Sequence, residues 1–202
     1  MLLDADDSQL VLIDYQEKLM PAIFENEQVL ANAIKLAKIA NIMQVPVWAT
    51  EQNPSKLGHT APALRALCDE VFAKLSFSAA EDGLIDILRP PVMKQQGGNA
   101  RSLPKHLQKP QAPQEPERPS IIIAGCEAHV CLMQTALQLL EEEMEVWVVT
   151  DACSSRNERN RDAAFDRLAG AGAELVTTEM VVFEWLRSCE HPAFKKVLEL
   201  IK

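Results

Sequence analysis

The sequence predicts an α/β fold, a parallel sheet with helices packed on both of its faces. Three observations carry that expectation. Residues 9–13, 45–49, 120–124, 145–149 and 174–177 are short apolar runs rich in β-branched residues. They are continuous instead of alternating, as strands buried on both sides require. Between them lie segments with helical spacing: Val29, Ala33, Leu36, Ala37 and Ala40 before the second run, and Met133, Leu137 and Leu140 before the run at Glu145. Strand alternating with helix yields a parallel sheet, and such sheets place their ligands at the carboxyl ends of the strands.

The remaining elements follow from local signals. Ser155 and Glu158 have capping-box spacing and open a helix through Ala163, Ala164 and Leu168. Gly170 and Gly172 end it; because that Gly-Ala-Gly follows a helix, it reads as a C-cap and not as a nucleotide-binding turn. Pro192 suits the first turn of a last helix that carries Phe194, Val197, Leu198 and Ile201. The apolar stretch 180–186 supplies core with at least half of its residues and has others to spare for a subunit interface. Residues 89–119 break the rhythm with seven of the twelve prolines, Gly97-Gly98 and a local charge of +4, against −13 for the rest of the chain. A connection of that composition is either a loosely packed insertion or a lid over a substrate site.

At 202 residues the chain, 1–202, suits one domain with a full core. A net charge of −9 argues against a surface that attracts phosphate backbones or anionic lipid, so neither nucleic acid nor a membrane is an expected partner. The start, MLLDADDSQLVLIDYQ, is acidic where a signal peptide would be basic, and no apolar run reaches the length of a membrane span; the expected location is cytoplasmic. The five cysteines, Cys68, Cys126, Cys131, Cys153 and Cys189, are odd in number and scattered, which suits reduced thiols.

The stretch 124–131, AGCEAHVC, is the densest chemical signal. A structural zinc site needs closely spaced cysteine pairs and a second pair elsewhere, but these cysteines are five apart and His59, His106 and His191 form no partner pair. A thioredoxin-type pair needs Cys-x-x-Cys, which is absent. One nucleophile remains: Cys131 falls in the first turn of a helix that follows a strand, where free amides and the helix dipole are expected to lower a thiol's pKa and to receive an oxyanion. The alternative is a small buried hydrophobe. Asp14, just after the first strand, is either an acid on the active edge or a helix N-cap. Lys74, alone in an apolar run, is either functional or a lysine snorkelling from a strand end.

Taken jointly, Asp14 in VLIDYQEKLMPAI, Lys74 in KLSFSA and Cys131 in GCEAHVCLMQTAL resemble the isochorismatase-like cysteine hydrolase superfamily, which includes nicotinamidases and carbamoyl-group amidohydrolases. The resemblance continues through VVTDACSSR to TTEMVVFEWL, and TEQ, GCEAHVC, DACSSR and TTEM are most similar to the branch of isochorismatase domain-containing proteins. It implies a three-layer α/β/α fold with a six-stranded parallel sheet, a catalytic triad of Asp14, Lys74 and Cys131, and a homo-oligomer. It also implies a cis peptide at Cys126–Glu127 in an oxyanion loop that takes in Cys126, Glu127 and Ala128, with backbone N–H groups from Glu127 to Cys131 as donors. The implied activity is hydrolysis of a small amide-like substrate through a thioester on Cys131, with Asp14 as base and Lys74 balancing its charge.

Nicotinamidases carry an Asp-x-His pair after the second strand, where this chain has Thr50-Glu-Gln-Asn-Pro54, so neither a metal nor any other cofactor is expected. True isochorismatases lack the cysteine, so Cys131 argues against vinyl-ether hydrolysis. Gln16, Glu51, Gln52 and His129 are candidate pocket residues. The competing function is a catalytically idle scaffold of the same fold, or an oligomer whose exposed thiolate senses oxidants.

Overall fold

Six strands form one sheet in the order β3-β2-β1-β4-β5-β6, all parallel, in the computed structural model, which describes residues 2–90 and 118–202. They are β1 (Ser8–Ile13), β2 (Val47–Gln52), β3 (Glu70–Lys74), β4 (Ser120–Gly125), β5 (Glu145–Val149) and β6 (Glu174–Val176). Every residue of β1 and β4 is buried, as central strands covered on both faces must be. The expected run 45–49 forms a strand that starts later, because Pro46 has no N–H for a ladder. It runs on to Gln52, pairing Thr50 with Ile13 and Gln52 with Lys74.

Parallel neighbours need crossovers, and these are α1 (Asn26–Ile42), the short α2 (Pro54–Leu57) and α3 (Pro62–Arg65), α4 (Leu84–Leu88), α5 (Met133–Glu141), α6 (Glu158–Gly170), α7 (Thr178–Leu186) and α8 (Phe194–Ile201). The chain winds from β1 towards β3 on one side and from β4 towards β6 on the other, so right-handed crossovers put α1 and α5 on opposite faces. Accordingly α1 packs with α7 and α8, and α5 with α6. Helix α7 buries Val181, Val182, Trp185 and Leu186, while Met180 and Phe183 stay exposed.

Two local expectations need correction. The cap of α6 is Asn157, whose side chain accepts the Asn160 N–H at 3.0 Å. Ser155 is unavailable for that role because its hydroxyl is bonded to His129. The last helix begins after Ala193, so Pro192 precedes its first turn instead of occupying it. The cysteines of the described chain are free, with Cys126 and Cys153 in the core and Cys189 exposed.

The expected insertion at 89–119 lies almost wholly outside the described residues. Its flanks are fixed: Gln9 Nε2 donates to the carbonyls of Leu88 and Arg118, each at 2.9 Å, at the amino end of β1. No described helix is long and apolar enough to cross a membrane.

Strand order reverses direction between β1 and β4, and this switch point is where an open α/β sheet forms a crevice. The two strands approach most closely at Gly125, where an added Cβ would lie 2.5 Å from both the Cβ and the carbonyl oxygen of Ile13. The clash is partly with backbone and cannot relax by a rotamer change. Gly125→Ala is therefore expected to destabilise the fold by about 3 kcal/mol or more, at the upper end of overpacking costs, as a lower urea midpoint at unchanged slope.

Candidate active site

Three side chains meet at the carboxyl ends of β1, β3 and β4. Asp14 is the first residue beyond β1; its N–H donates to the Thr50 carbonyl at 3.2 Å, and the chain turns there with φ 56°. A short polar side chain tolerates that left-handed conformation better than most. The carboxylate is fully buried. Thr50 Oγ1 donates to its Oδ1 at 2.7 Å, and Lys74 Nζ lies 2.8 Å from its Oδ2. That ion pair is a charge contact without a well-directed hydrogen bond, because Oδ2 has no partner that meets hydrogen-bond geometry. One carboxylate lone pair is thus open to a proton.

Lys74, the last residue of β3, spends its donors on Gln52 Oε1 at 2.7 Å and the Phe77 carbonyl at 3.0 Å, with the Ser76 carbonyl at 3.4 Å. A buried ammonium needs such partners, and having them turns a snorkelling lysine into a fixed cation.

Cys131 sits in a π-helical turn, Ala128–Leu132, which leads from β4 into α5. Only 6% of its surface is exposed. Burial pushes the thiol up, the Asp14 charge pushes it further, and Lys74 pulls it down, leaving it at about 12. Asp14 and Lys74 both act on the same thiol, so the three residues form one cluster. The expected lowering by the helix terminus is overturned, since desolvation and a buried anion outweigh it. Cys131 rests as a neutral thiol.

The loop before Cys131 supplies fewer free amides than expected. The Cys126–Glu127 peptide is cis. Cys126 N–H donates to the Ile13 carbonyl at 2.9 Å, Ala128 N–H to that of Ser154 at 2.8 Å, and Val130 N–H to that of Glu127 at 3.0 Å. Among the described residues the Glu127 N–H donates to no group. The Glu127 carbonyl also receives Leu132 N–H at 3.4 Å, an i−5 bond that leaves Cys131 without the usual i−4 bond. Glu127, His129 and Cys131 are therefore the candidate oxyanion donors, and Cys126, Ala128 and Val130 are not.

The candidate pocket residues separate by strand geometry. Side chains alternate along β2, so Thr50 and Gln52 face the cluster while Glu51 points to the other side. Gln16 Nε2 donates to the carbonyls of Gln52 and Gly58, bracing the end of β2. Glu51 accepts from Thr60 N–H at 2.8 Å and Arg65 Nη1 at 3.0 Å, and His59 Nδ1 lies 3.0 Å away. Burial acts to raise the Glu51 carboxyl, but these hydrogen bonds and the Arg65 charge hold it below its ordinary value. Glu51 is an anchor for the 59–65 segment. His129 turns its ring to Ser155 and Asn160.

Two contributors escaped the sequence reading. Thr50 holds Asp14, and the signal for it is its register opposite Ile13. Thr135 Oγ1 donates to the Cys131 carbonyl at 2.7 Å and accepts the Ala79 N–H at 3.0 Å, tying the nucleophile's turn to the loop beyond Lys74; its signal is the i+4 spacing. Beside the cluster lies an open depression of about 320 Å³, lined by Ser76, Phe77, Glu81, Gln134 and Gln138 among others, with none of the three central residues in its wall. Among the described residues no three His, Cys, Asp or Glu side chains converge to hold a metal ion.

Residues 102–180 match the sequence profile of the family described as Isochorismatase domain. Isochorismatase domain-containing protein 2A of Mus musculus is 34% identical over 197 residues, covering 98% of this chain and 84% of that protein. The Danio rerio protein 2 is 35% identical over 199 residues, covering 98% and 89%. Among solved structures, one described as MAR1 ribonuclease from Caenorhabditis elegans superposes with a TM-score of 0.83 at 31% identity, over 100% of this chain and 92% of that one. The YcaC gene product of Escherichia coli, described as an octameric hydrolase of unknown specificity, superposes at 0.77 with 23% identity, over 98% and 95%.

The opposed charges on the thiol give a signed expectation. Asp14→Asn removes the charge that raises the Cys131 pKa and keeps the one that lowers it, so thiolate should appear at lower pH than in the wild type; Lys74→Met should shift it the other way. Ultraviolet thiolate absorbance, taken as a difference against the matching Cys131→Ser protein, reads both shifts. Lys74→Met should also cost about 3–5 kcal/mol, because it strands a buried carboxylate.

Proposed function

The chain belongs to the isochorismatase family of hydrolases, and on that premise we propose that it is a metal-independent cysteine hydrolase that cleaves a small amide-like C–N bond through a thioester on Cys131. One observation carries the reading: the thiol lies close enough to Asp14 and Lys74 for both to act on it, and the buried Asp14 carboxylate keeps an Oδ2 that accepts no directed bond. That is a nucleophile with its base in place.

In the proposed reaction Asp14 Oδ2 takes the thiol proton as sulfur bonds to the substrate carbonyl carbon. The carbonyl electron pair moves to oxygen, and N–H groups among Glu127, His129 and Cys131 receive the resulting oxyanion. Collapse breaks the C–N bond, and the departing amine or ammonia takes the proton from Asp14. Water then attacks the thioester, its proton passes through Asp14 to the sulfur, and the acid leaves. Lys74 stays charged throughout and offsets the carboxylate, held in place by Gln52 and the Phe77 carbonyl. Because burial and the Asp14 charge raise the thiol, proton removal that accompanies attack is favoured over prior ionisation.

The same reading assigns a homo-oligomer. The exposed apolar side chains Leu75 and Phe77, 77% and 56% accessible, stand directly after Lys74, and Met180 and Phe183 stand on α7. A second reading, RNA cleavage, takes its support from the description of the Caenorhabditis elegans structure. The net charge of −9 opposes it, since a polyanion would be repelled.

Turnover of a panel of small primary amides and ureides, with a single-stranded RNA alongside, tests the assignment. An amide that is hydrolysed by the wild type, with activity lost by about 10⁴-fold or more in Cys131→Ala and an acyl adduct on Cys131 trapped by mass spectrometry, is the expected result. Full turnover by Cys131→Ala, or RNA cleavage that survives it, would rule the thioester out.

A further inference from the structure

We propose that His129 is a positioning residue for the oxyanion-binding amide: together with Glu127 it locks the loop before Cys131 to the segment after β5, and so aims the Glu127 N–H. The inference rests on the reading of Cys131 as an acyl-transfer nucleophile.

The backbone around Glu127 is tied on either side, Cys126 N–H to Ile13 and Ala128 N–H to Ser154, while the Gly125 carbonyl accepts Ser154 N–H at 3.3 Å. Between these ties the Glu127 carbonyl is held by Val130 N–H and Leu132 N–H, and its N–H side by side-chain contacts alone. Arg156 Nε lies 2.5 Å from Glu127 Oε1, and Arg156 N–H donates to Oε2 at 3.2 Å. The Arg156 side chain is 61% exposed, and an ion pair so open to water restrains little.

His129 supplies the less exposed half of the clamp, its side chain 22% accessible. Asn160 Nδ2 donates to its Nε2 at 3.2 Å, which leaves the ring proton on Nδ1. Nδ1–H then donates to Ser155 Oγ at 2.9 Å, with Glu127 Oε2 a further neighbour at 3.4 Å. Ser155 is fully buried, and its carbonyl accepts the Phe24 N–H at 2.9 Å, so the ring is moored to a fixed point. A neutral imidazole offers a donor and an acceptor on opposite sides of a rigid ring. None of these contacts touches the thiol, Asp14 or Lys74. The device acts on the half of the site that receives the oxyanion, leaving thiol activation to the other half.

Two reactions at Cys131 separate those halves, followed by intact-protein mass on the full chain at mildly alkaline pH. p-Nitrophenyl acetate acylates sulfur through a tetrahedral oxyanion, with p-nitrophenolate leaving. Iodoacetamide alkylates sulfur by direct displacement of iodide, with no oxyanion. His129→Ala is expected to slow acylation about 10-fold or more, a fraction of what losing an oxyanion donor outright costs, and to leave alkylation unchanged. His129→Asn, which restores one donor, should recover part of the loss. Equal slowing of both reactions, no slowing of either, or an Asn variant no better than Ala would overturn the proposal. Should His129→Ala fail to fold, the same ratio is read in Glu127→Gln, where unchanged acylation would overturn it. A wild-type protein that is alkylated but never acylated would instead remove the cysteine-hydrolase reading, and this proposal with it.

Discussion

Two opposite charges buried together, Asp14 and Lys74, constrain the site more than any other feature. Neither side chain has any exposed surface, so each would cost several kcal/mol if left alone. Their strands are not neighbours: β2 lies between β1 and β3, and two strand spacings of about 4.8 Å have to be crossed. Lysine has the reach, and the residues it passes over must be polar or small. That accounts for Thr50 and Gln52 on the cluster side of β2, one bonded to the acid and the other to the amine. Sheet order, strand register and the polar end of β2 are thus parts of one solution to burying an ion pair.

The pair also determines what kind of thiol Cys131 can be. A cysteine beside a lone cation would ionise and would be open to oxidants as well as to substrate. Here the anion next to it and the surrounding burial keep the proton on sulfur, with the thiol at about 12. In the proposed reaction such a thiol would react when a carbonyl arrives in position, with the carboxylate accepting the proton in the same step. An oxidant-sensing role needs an exposed thiolate, and only 6% of the Cys131 surface is exposed.

How much of this was legible in the sequence follows from where the information resides. The central strands are continuous apolar runs and fall within a residue or two of the expected bounds, because burial on both faces admits little else. The end of β2 was missed because Thr50, Glu51 and Gln52 are polar; they extend the strand through register with β1 and β3, which no local pattern displays. Ser155 was misread as a cap because its competing partner, His129, is 26 residues away in the chain. Asp14 and Lys74 were each ambiguous alone, since their meaning is their mutual contact. The family resemblance brought them together on paper, and the geometry adds what it could not: the direction of the thiol's shift and the consumption of the Ala128 and Val130 amides.

The switch point divides the chemistry between two halves of the sheet. Acid, base and counter-charge come from β1, β2 and β3, whose side chains hold one another without reference to β4. The turn that carries sulfur, and the amides beside it, come from β4 and are braced by the segments after β5. The Gly125 approach to Ile13, a few backbone bonds and the Thr135 link to Ala79 join the halves near the thiol. The position of Cys131 relative to Asp14 therefore depends on how β1 and β4 pack. Packing at that seam is set by a glycine and a ladder of six parallel pairs, Ser8 to Ile13 against Ser120 to Gly125. Close-packed interiors have discrete arrangements instead of a continuum, so a seam of this kind holds the Cys131 turn in one position relative to Asp14.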